Sequence, residues 1–455
     1  MKADVIVIGS GQAGVPLSAR LAAAGRTVLL AERKDLGGTC VNVGCTPTKT
    51  MIASARAAHV ARTAARLGVA TGEVSVDLGK VVDRKDRIVG QWREGVAKRL
   101  KADRLTVVHG QARFTGPREV DVGGEAHSAD VVVINTGARP VVPKLPGLDA
   151  VPFLTNATLM QVRELPSHLL ILGGGYIGCE FGQMFRRFGA RVTIADSAAH
   201  LMNREDPEIS SALEDAFRSE GIALQLGAKA AGVSGSAGDI RLRLEGGQEE
   251  LRGSHLLVAV GRRPNTDDLG CDAAGIALDD KGSVVADDLY RTSAEGVYAV
   301  GDVLGFPQFT HTSWDDHRRL FDILMGRSQR GRSGRFVPYT AFTDPQVAGV
   351  GLTEKDAKKQ KVAYEAATLR FGEIARAQEV DEKAGLLKVL VDPKSERVLG
   401  ARIVGAEAGE LIHIFVALMQ AGASARAIVD MEAVHPTFAE GVQSLVMKLD
   451  RFALR

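Results

Sequence analysis

The chain has 455 residues, 45% hydrophobic and 25% charged, with a formal net charge of +2. That length accommodates two or three domains and that balance is ordinary for a globular protein; the small net charge gives no reason to expect nucleic acid or an anionic membrane as partner. No uninterrupted apolar run approaches the roughly 20 residues that span a bilayer. The N-terminus enters a strand directly, ADVIVIG (3–9), without the basic and apolar segments of a secretory leader, so the expected location is cytoplasmic. Four cysteines in such a chain are not a disulfide framework.

The first predicted unit is DVIVIGSGQAGVPLSARLAAAGRTVLLAER (4–33): strand, glycine turn, helix, second strand. Gly9 permits the tight turn, Gly11 lets backbone approach a pyrophosphate, and Gly14 lets the helix pack against the strand. Glu32, 18 positions after Gly14, is placed to accept from a ribose hydroxyl. The helix N-terminus attracts phosphate charge.

Next comes GGTCVNVGCTPTK (37–49), which holds Cys40 and Cys45. Thr46 reads as an N-cap and Pro47 as the first position of a helix running through TKTMIASARAAHVARTAARLG. Both cysteines then lie at or just before a helix N-terminus, a location that favours thiolate. Four intervening residues can close a disulfide, whereas zinc lacks a second Cys or His pair at ligand spacing. No structural metal site is expected.

The strand–turn–helix plan returns at HLLILGGGYIGCEFGQMFRRFGARVTIADS (168–197), with Gly173, Gly175 and Gly178 and with Asp196 again 18 positions after the last glycine. A second echo joins VVVINTGARP (131–140), with Thr136 and Gly137, to LLVAVGRRPN (256–265), with Gly261. Two copies of one plan imply two nucleotides, and in a redox protein these suggest FAD beside NAD(P). Asp196 is followed by Ser-Ala-Ala-His, with no arginine before Arg204; a free ribose 2′-hydroxyl, hence NADH rather than NADPH, is the expectation. GVYAVGDVLG (296–305) ends a strand in Gly-Asp, placing Asp302 to bond a flavin's ribityl or phosphate side.

After the Gly/Ser/Arg-rich connector GRSQRGRSGRFVP (326–338), alternating segments read as an antiparallel sheet, followed by helices from Gly409. The fold class expected is α/β: two Rossmann-like nucleotide-binding domains, for FAD and NAD, with a C-terminal α+β domain. The boundaries read as 1–147 (FAD, first segment), 148–265 (NAD(P)), 266–335 (FAD, return) and 336–455 (C-terminal α+β domain, for which the family resemblance given below implies a dimerisation interface). Cys179 and Cys271 read as buried thiols, and His311, His317 and His413 as structural.

Taken together, GGTCVNVGCTPTK, GSGQAG, GGGYIG, VGD and VHPTFAEG (434–441) resemble the class I pyridine nucleotide–disulfide oxidoreductases, along the whole chain. That family includes dihydrolipoamide dehydrogenase, glutathione reductase and mercuric reductase. The resemblance implies electron flow from NADH to FAD to a Cys40–Cys45 disulfide, with Cys45 nearest the flavin and Cys40 meeting the substrate. It implies that Lys49 approaches the flavin with Glu180 as its carboxylate partner, and that His435, oriented by Glu440, exchanges protons with Cys40 across a homodimer. Thr39, Thr136, Gly137 and Gly261 join the cofactor-binding set.

Three acceptor readings compete. A C-terminal cysteine pair is missing from VMKLDRFALR (446–455), and no N-terminal metal-binding domain precedes the fold; both count against dedicated mercury detoxification. Yet TPTKT, FPQFTHTSWDDHRRL (306–320) and EIARAQEVDEKAGLLKVLVD (373–392) are similar to a mercuric-reductase-like bacterial subgroup that includes a copper(II) reductase. A dithiolate suits soft metals. A soft metal ion, Hg(II) or Cu(II), held by Cys40 and Cys45, ranks first. A small disulfide, or dihydrolipoamide dehydrogenase activity, ranks second, and a redox-responsive binding protein third.

Overall fold

The computed structural model describes residues 1–246 and 250–453; the last two residues of the C-terminal tail quoted above lie outside the described residues. Two compact units are present. The first comprises 1–50, 80–141 and 261–335, the second 51–79, 142–260 and 336–455.

The first unit is built on a seven-stranded sheet. Its centre is Lys2–Ile8, parallel to Val28–Glu32 on one side and to Glu125–Ile134 on the other, with Ile8 opposite both Ala31 and Ile134. Leu105–His109 and Val297–Ala299 extend the parallel part. Both faces of these strands are covered, so they read as continuous apolar runs. Ile6, Val7, Leu29, Leu30, Val132 and Val133 are fully buried, each contributing about 2 kcal/mol. The helix Gly14–Ala23 presents Leu17 and Leu21 to this core.

The two Arg-Pro echoes meet each other. Ala138–Pro140 and Arg262–Pro264 form a two-stranded antiparallel ribbon, and Arg139 donates to the Pro264 carbonyl and the Asn265 side chain.

The second unit repeats the plan in a four-stranded parallel sheet ordered Ala223–Leu226, Arg191–Asp196, His168–Leu172, His255–Val258. It also contains a five-stranded antiparallel sheet ordered Tyr339–Ala341, Gln346–Gly351, Val398–Gly405, Leu386–Val391, Glu365–Arg370. Phe371 and Phe415 anchor the core on that sheet, with Phe415 carried by the helix Ala408–Ala421. The α/β fold class, with two Rossmann-like halves and a C-terminal α+β domain, is the observed one. Among the described residues no helix is long and apolar enough to cross a membrane.

Candidate active site

Both glycine turns are built alike, for the same steric reasons. Gly9 (φ 104°) and Gly173 (φ 113°) take left-handed backbone, which other residues resist. A Cβ on Gly14 would stand 2.0 Å from the Gly9 carbonyl oxygen, and one on Gly178 would stand 1.9 Å from that of Gly173. Only glycine therefore allows each helix to approach its strand. The middle glycines differ: a Cβ on Gly11 would press the Asn135 amide at 3.2 Å, while Gly175 meets nothing within 4 Å.

The two acids also match. Glu32 accepts from the Ser10 N–H (2.9 Å), the Ser10 hydroxyl (2.6 Å) and the Lys34 N–H (2.9 Å). Asp196 accepts from the Gly174 N–H (2.6 Å) and the Ala198 N–H (2.8 Å). Each carboxylate is fixed by its own turn, with lone pairs left for a ribose hydroxyl. Asn135 donates to the Gly9 carbonyl at 2.9 Å and locks the first turn from below; sequence reasoning missed Asn135 and Ser10.

Further groups of the first unit gather at the strand ends. The Thr136 hydroxyl is enclosed and has no protein partner among the described residues. Gly137 and Gly261 have open space where a side chain would be. Burial pushes the Asp302 carboxyl up, against the opposing pull of Arg262, whose Nη2 lies 3.5 Å away. A cavity of about 200 Å³ opens beside Gly11, Gln12 and Gly37, walled by Trp92, Arg99 and Trp314.

The cysteines depart from the sequence expectation in where the helix starts and, for Cys40, in the direction of the thiol's shift, which is upward rather than towards thiolate. The helix begins at Cys45 and runs to Thr63, so Cys45, not Pro47, is its first residue. Cys40 lies inside a separate short helix, Gly38–Val43, which contains Thr39. Gly37 and Gly38, both left-handed, turn the chain into that helix, and Gly44, with φ −127° and ψ −121°, breaks it before Cys45. Thr48 and Thr50 return their hydroxyls to the Gly44 and Thr46 carbonyls.

Both cysteines are partly exposed. Hydrogen bonding to Cys45, then burial, holds the Cys40 thiol well above its ordinary pKa, with Thr310 pulling the other way. Thr310 Oγ1 lies 3.1 Å from Cys45 Sγ. It is the first residue of the helix Thr310–Leu324, so Cys45 meets two helix starts, each with positive dipole character. Thr310 is 265 positions from Cys45, and no local signal revealed it.

In the second unit His435 Nδ1 stands 2.8 Å from Glu440 Oε2. The imidazole is 69% exposed and the carboxyl 19%. Thr437 caps the approach by accepting from the Glu440 N–H at 3.2 Å. Glu180 is buried in the helix Tyr176–Phe188 and accepts from the Phe342 N–H at 2.9 Å. Lys49 belongs to the first unit, on the helix Cys45–Thr63. Cys179 and Cys271 are buried, while His317 is enclosed and His311 and His413 are exposed.

Residues 3–316 match the family described as pyridine nucleotide-disulphide oxidoreductase, and residues 337–446 match that family's dimerisation domain. The chain belongs to this family. A mercuric reductase of Staphylococcus aureus is 32% identical over 451 residues, covering 98% of this chain and 82% of the relative. A dihydrolipoyl dehydrogenase of Thermus scotoductus is 35% identical over 460 residues, covering 99% and 98%. The solved Cu(II) complex of the HOCl-induced flavoprotein disulfide reductase RclA from Escherichia coli superposes with a TM-score of 0.89 at 34% identity, covering 98% of this chain and 99% of that one.

As a pyridine nucleotide–disulfide oxidoreductase the chain is an FAD-dependent enzyme that uses NAD(P)H. The residues present fit both dinucleotides. Each turn offers a glycine cradle, an acid fixed by backbone N–H groups and a helix start, the combination that receives a pyrophosphate and its ribose. The first turn adds the Thr136 hydroxyl, which has no partner among the described residues, and the adjoining cavity.

Proposed function

We propose that the enzyme passes electrons from NADH to a soft metal ion, Cu(II) or Hg(II), through the Cys40–Cys45 pair. The observation that carries this reading is the pair itself: two hydrogen-bonded thiols, partly open to solvent, with Cys45 on the Thr310 hydroxyl. Two adjacent sulfurs are a soft-metal chelate. The likeness to RclA solved as a Cu(II) complex supports the same class of acceptor. The reaction balances as NADH with two Cu(II) giving NAD⁺, a proton and two Cu(I), or as NADH with Hg(II) giving NAD⁺, a proton and Hg(0).

Bound FAD supplies the relay between nicotinamide and disulfide. Gly9, Gly11, Gly14, Glu32, Thr39, Thr136, Gly137, Asp302 and Gly261 are assigned to hold it; Gly173, Gly175, Gly178 and Asp196 are assigned to NADH. The preference for NADH rests on the Asp196 carboxylate, whose charge would repel a 2′-phosphate, and on the lack of arginine at 197–200. Cys45 is the inner thiol and Cys40 the outer one. Lys49 and Glu180 are kept as the lysine–carboxylate pair beside the flavin.

The hydrogen bond to Cys45 and burial push the Cys40 thiol up, and a base nearby is what makes such a thiol a nucleophile or a metal ligand. His435 suits that role: with Nδ1 on Glu440 the ring keeps a lone pair on Nε2. Its exposure in the single chain supports service to the cysteine pair of another protomer in a homodimer. The cytoplasm, where thiols stay reduced, is the compartment assigned.

The same dyad favours a second reading, reduction of a small disulfide, in which NADH, a proton and one disulfide give NAD⁺ and two thiols. Oxidation of NADH by the FAD-loaded protein with Cu(II), Hg(II), lipoamide, oxidised glutathione or no acceptor separates the two. Turnover confined to metals supports the first reading. Turnover confined to one disulfide replaces it with the second.

A further inference from the structure

One row of the five-stranded sheet stands out from its apolar core. The register places Tyr339 opposite Gly349, Gly349 opposite Arg402, and Arg402 opposite Lys388, on four adjacent strands. Directly opposed residues share a face of a sheet. The row therefore projects a phenol ring, a gap and two cations to one side.

Both cations are buried, Lys388 to 1% and Arg402 to 3% exposure, and both find acids at the start of the helix Pro207–Ser219, to which the helix Glu354–Gln360 adds Glu354. Arg402 Nε donates to Glu205 Oε2 at 2.9 Å. Lys388 Nζ donates to Asp206 (3.0 Å), to Glu354 (2.6 Å) and to Glu208. The acid trio Asp206, Glu208 and Glu354 is thus the socket of a lysine ammonium.

The gap at Gly349 has a steric reason. A Cβ there would stand 2.6 Å from Tyr339 Oη and 2.7 Å from Arg402 Cδ. The ring and the arginine stem converge over the glycine, with the guanidinium 5.8 Å from the ring centroid. Tyr339 in turn packs on Tyr176, with centroids 5.6 Å apart at 47°. Tyr176 is the first residue of the helix that opens after Gly175, where the pyrophosphate of the nicotinamide dinucleotide is assigned. A packed chain runs from the Glu205–Arg402 pair, through Tyr339, to that turn.

We propose that Tyr339, Gly349 and Arg402 are positioning residues for the nicotinamide dinucleotide, acting through Tyr176. The proposal rests on the assignment of the second glycine turn to that dinucleotide. A phosphate cradle works only when its N–H groups are held within a fraction of an ångström. A half-buried ring at the first helical position, braced by a buried ion pair, supplies that hold.

The test uses the full-length FAD-loaded protein and two readouts: NADH saturation of flavin reduction by rapid mixing, and calorimetric titration of NAD⁺ into the oxidised protein without turnover. Tyr339→Leu and Gly349→Ala are expected to raise half-saturation and the NAD⁺ dissociation constant about 3- to 10-fold, with the limiting reduction rate unchanged. Tyr339→Phe, which keeps the ring, is expected to behave as wild type. In a Tyr176→Leu background, Tyr339→Leu is expected to add nothing. Wild-type half-saturation in Tyr339→Leu overturns the proposal, as do losses at Tyr339 and Tyr176 that multiply independently. Flavin reduced by neither NADH nor NADPH in the wild-type protein overturns the assignment of the turn, and the proposal with it.

Discussion

His435 Nδ1 and Glu440 Oε2 are 2.8 Å apart, a separation that fixes the ring's tautomer and points Nε2 away from the carboxylate. Glu440 is the first residue of the helix Glu440–Met447, so its backbone is set by that helix while His435 rides on the preceding loop. An imidazole is thereby held on a rigid support and presented outward.

His435→Ala is expected to cut disulfide-reducing turnover by roughly 10²- to 10⁴-fold, the usual contribution of a general acid–base. NADH-driven reduction of the flavin should keep its wild-type rate, because that half-reaction needs no thiol deprotonation. Metal turnover should fall less than disulfide turnover, since a metal ion itself promotes loss of the thiol proton. Stopped-flow absorbance and steady-state NADH oxidation measure both halves; equal losses in flavin reduction and in turnover would remove His435 from the thiol chemistry.

Cys40→Ser and Cys45→Ser are each expected to abolish turnover with any acceptor while leaving reduction of the flavin by NADH intact. Loss of flavin reduction in Cys40→Ser would count against the relay. Wild-type turnover in either variant would place the acceptor at the flavin rather than at the thiols.

The matched glycine turns separate the cofactors. Gly14→Ala and Gly178→Ala each force a methyl group against a backbone carbonyl, at 2.0 Å and 1.9 Å, and overpacking of this kind costs about 1–3 kcal/mol. Purified Gly14→Ala is expected to have low flavin absorbance, and Gly178→Ala normal flavin content with a raised KM for NADH. The reverse pattern would exchange the two assignments.

Asp196 is expected to make NADH the better donor, with NADPH at least about 10-fold lower in kcat/KM, a difference of about 1.4 kcal/mol. Asp196→Ser should narrow the ratio chiefly by weakening NADH. Steady-state kinetics with both donors measures it, and equal use of the two by the wild type would overturn the preference.

His317 gives a pH dependence of stability. Burial pushes its pKa down to about 4, and its Nδ1 has no partner among the described residues. The folded value lies below the unfolded one of about 6.5, so between them the unfolded state binds more protons. The stabilisation is therefore complete above about pH 6.5 and is lost as pH falls towards 4, about 3 kcal/mol in all. Urea unfolding of the wild type and of His317→Leu from pH 7 to pH 4 tests this. The wild type should lose stability more steeply, and parallel curves would show that His317 does not titrate across this range.

The sequence alone determined what depends on neighbours in the chain. Glycine, strand, helix and acid follow one another within about thirty residues, and each constraint there, a left-handed φ at Gly9 and Gly173 or a missing Cβ at Gly14 and Gly178, belongs to one residue type. The cysteine stretch was legible for the same reason, whereas His435 with Glu440, five positions apart, was singled out only by the family resemblance. The start of the helix at Cys45 was misplaced because the left-handed turn of Gly37–Gly38 and the break at Gly44 outweighed the Thr46–Pro47 start signal. Tertiary structure alone decided Thr310 on Cys45, Asn135 under Gly9, the meeting of the two Arg-Pro ribbons, and the row Tyr339–Gly349–Arg402–Lys388. These contacts join residues far apart in the chain. They exist because strand register and helix packing bring the residues together, and no local pattern encodes which distant partner arrives.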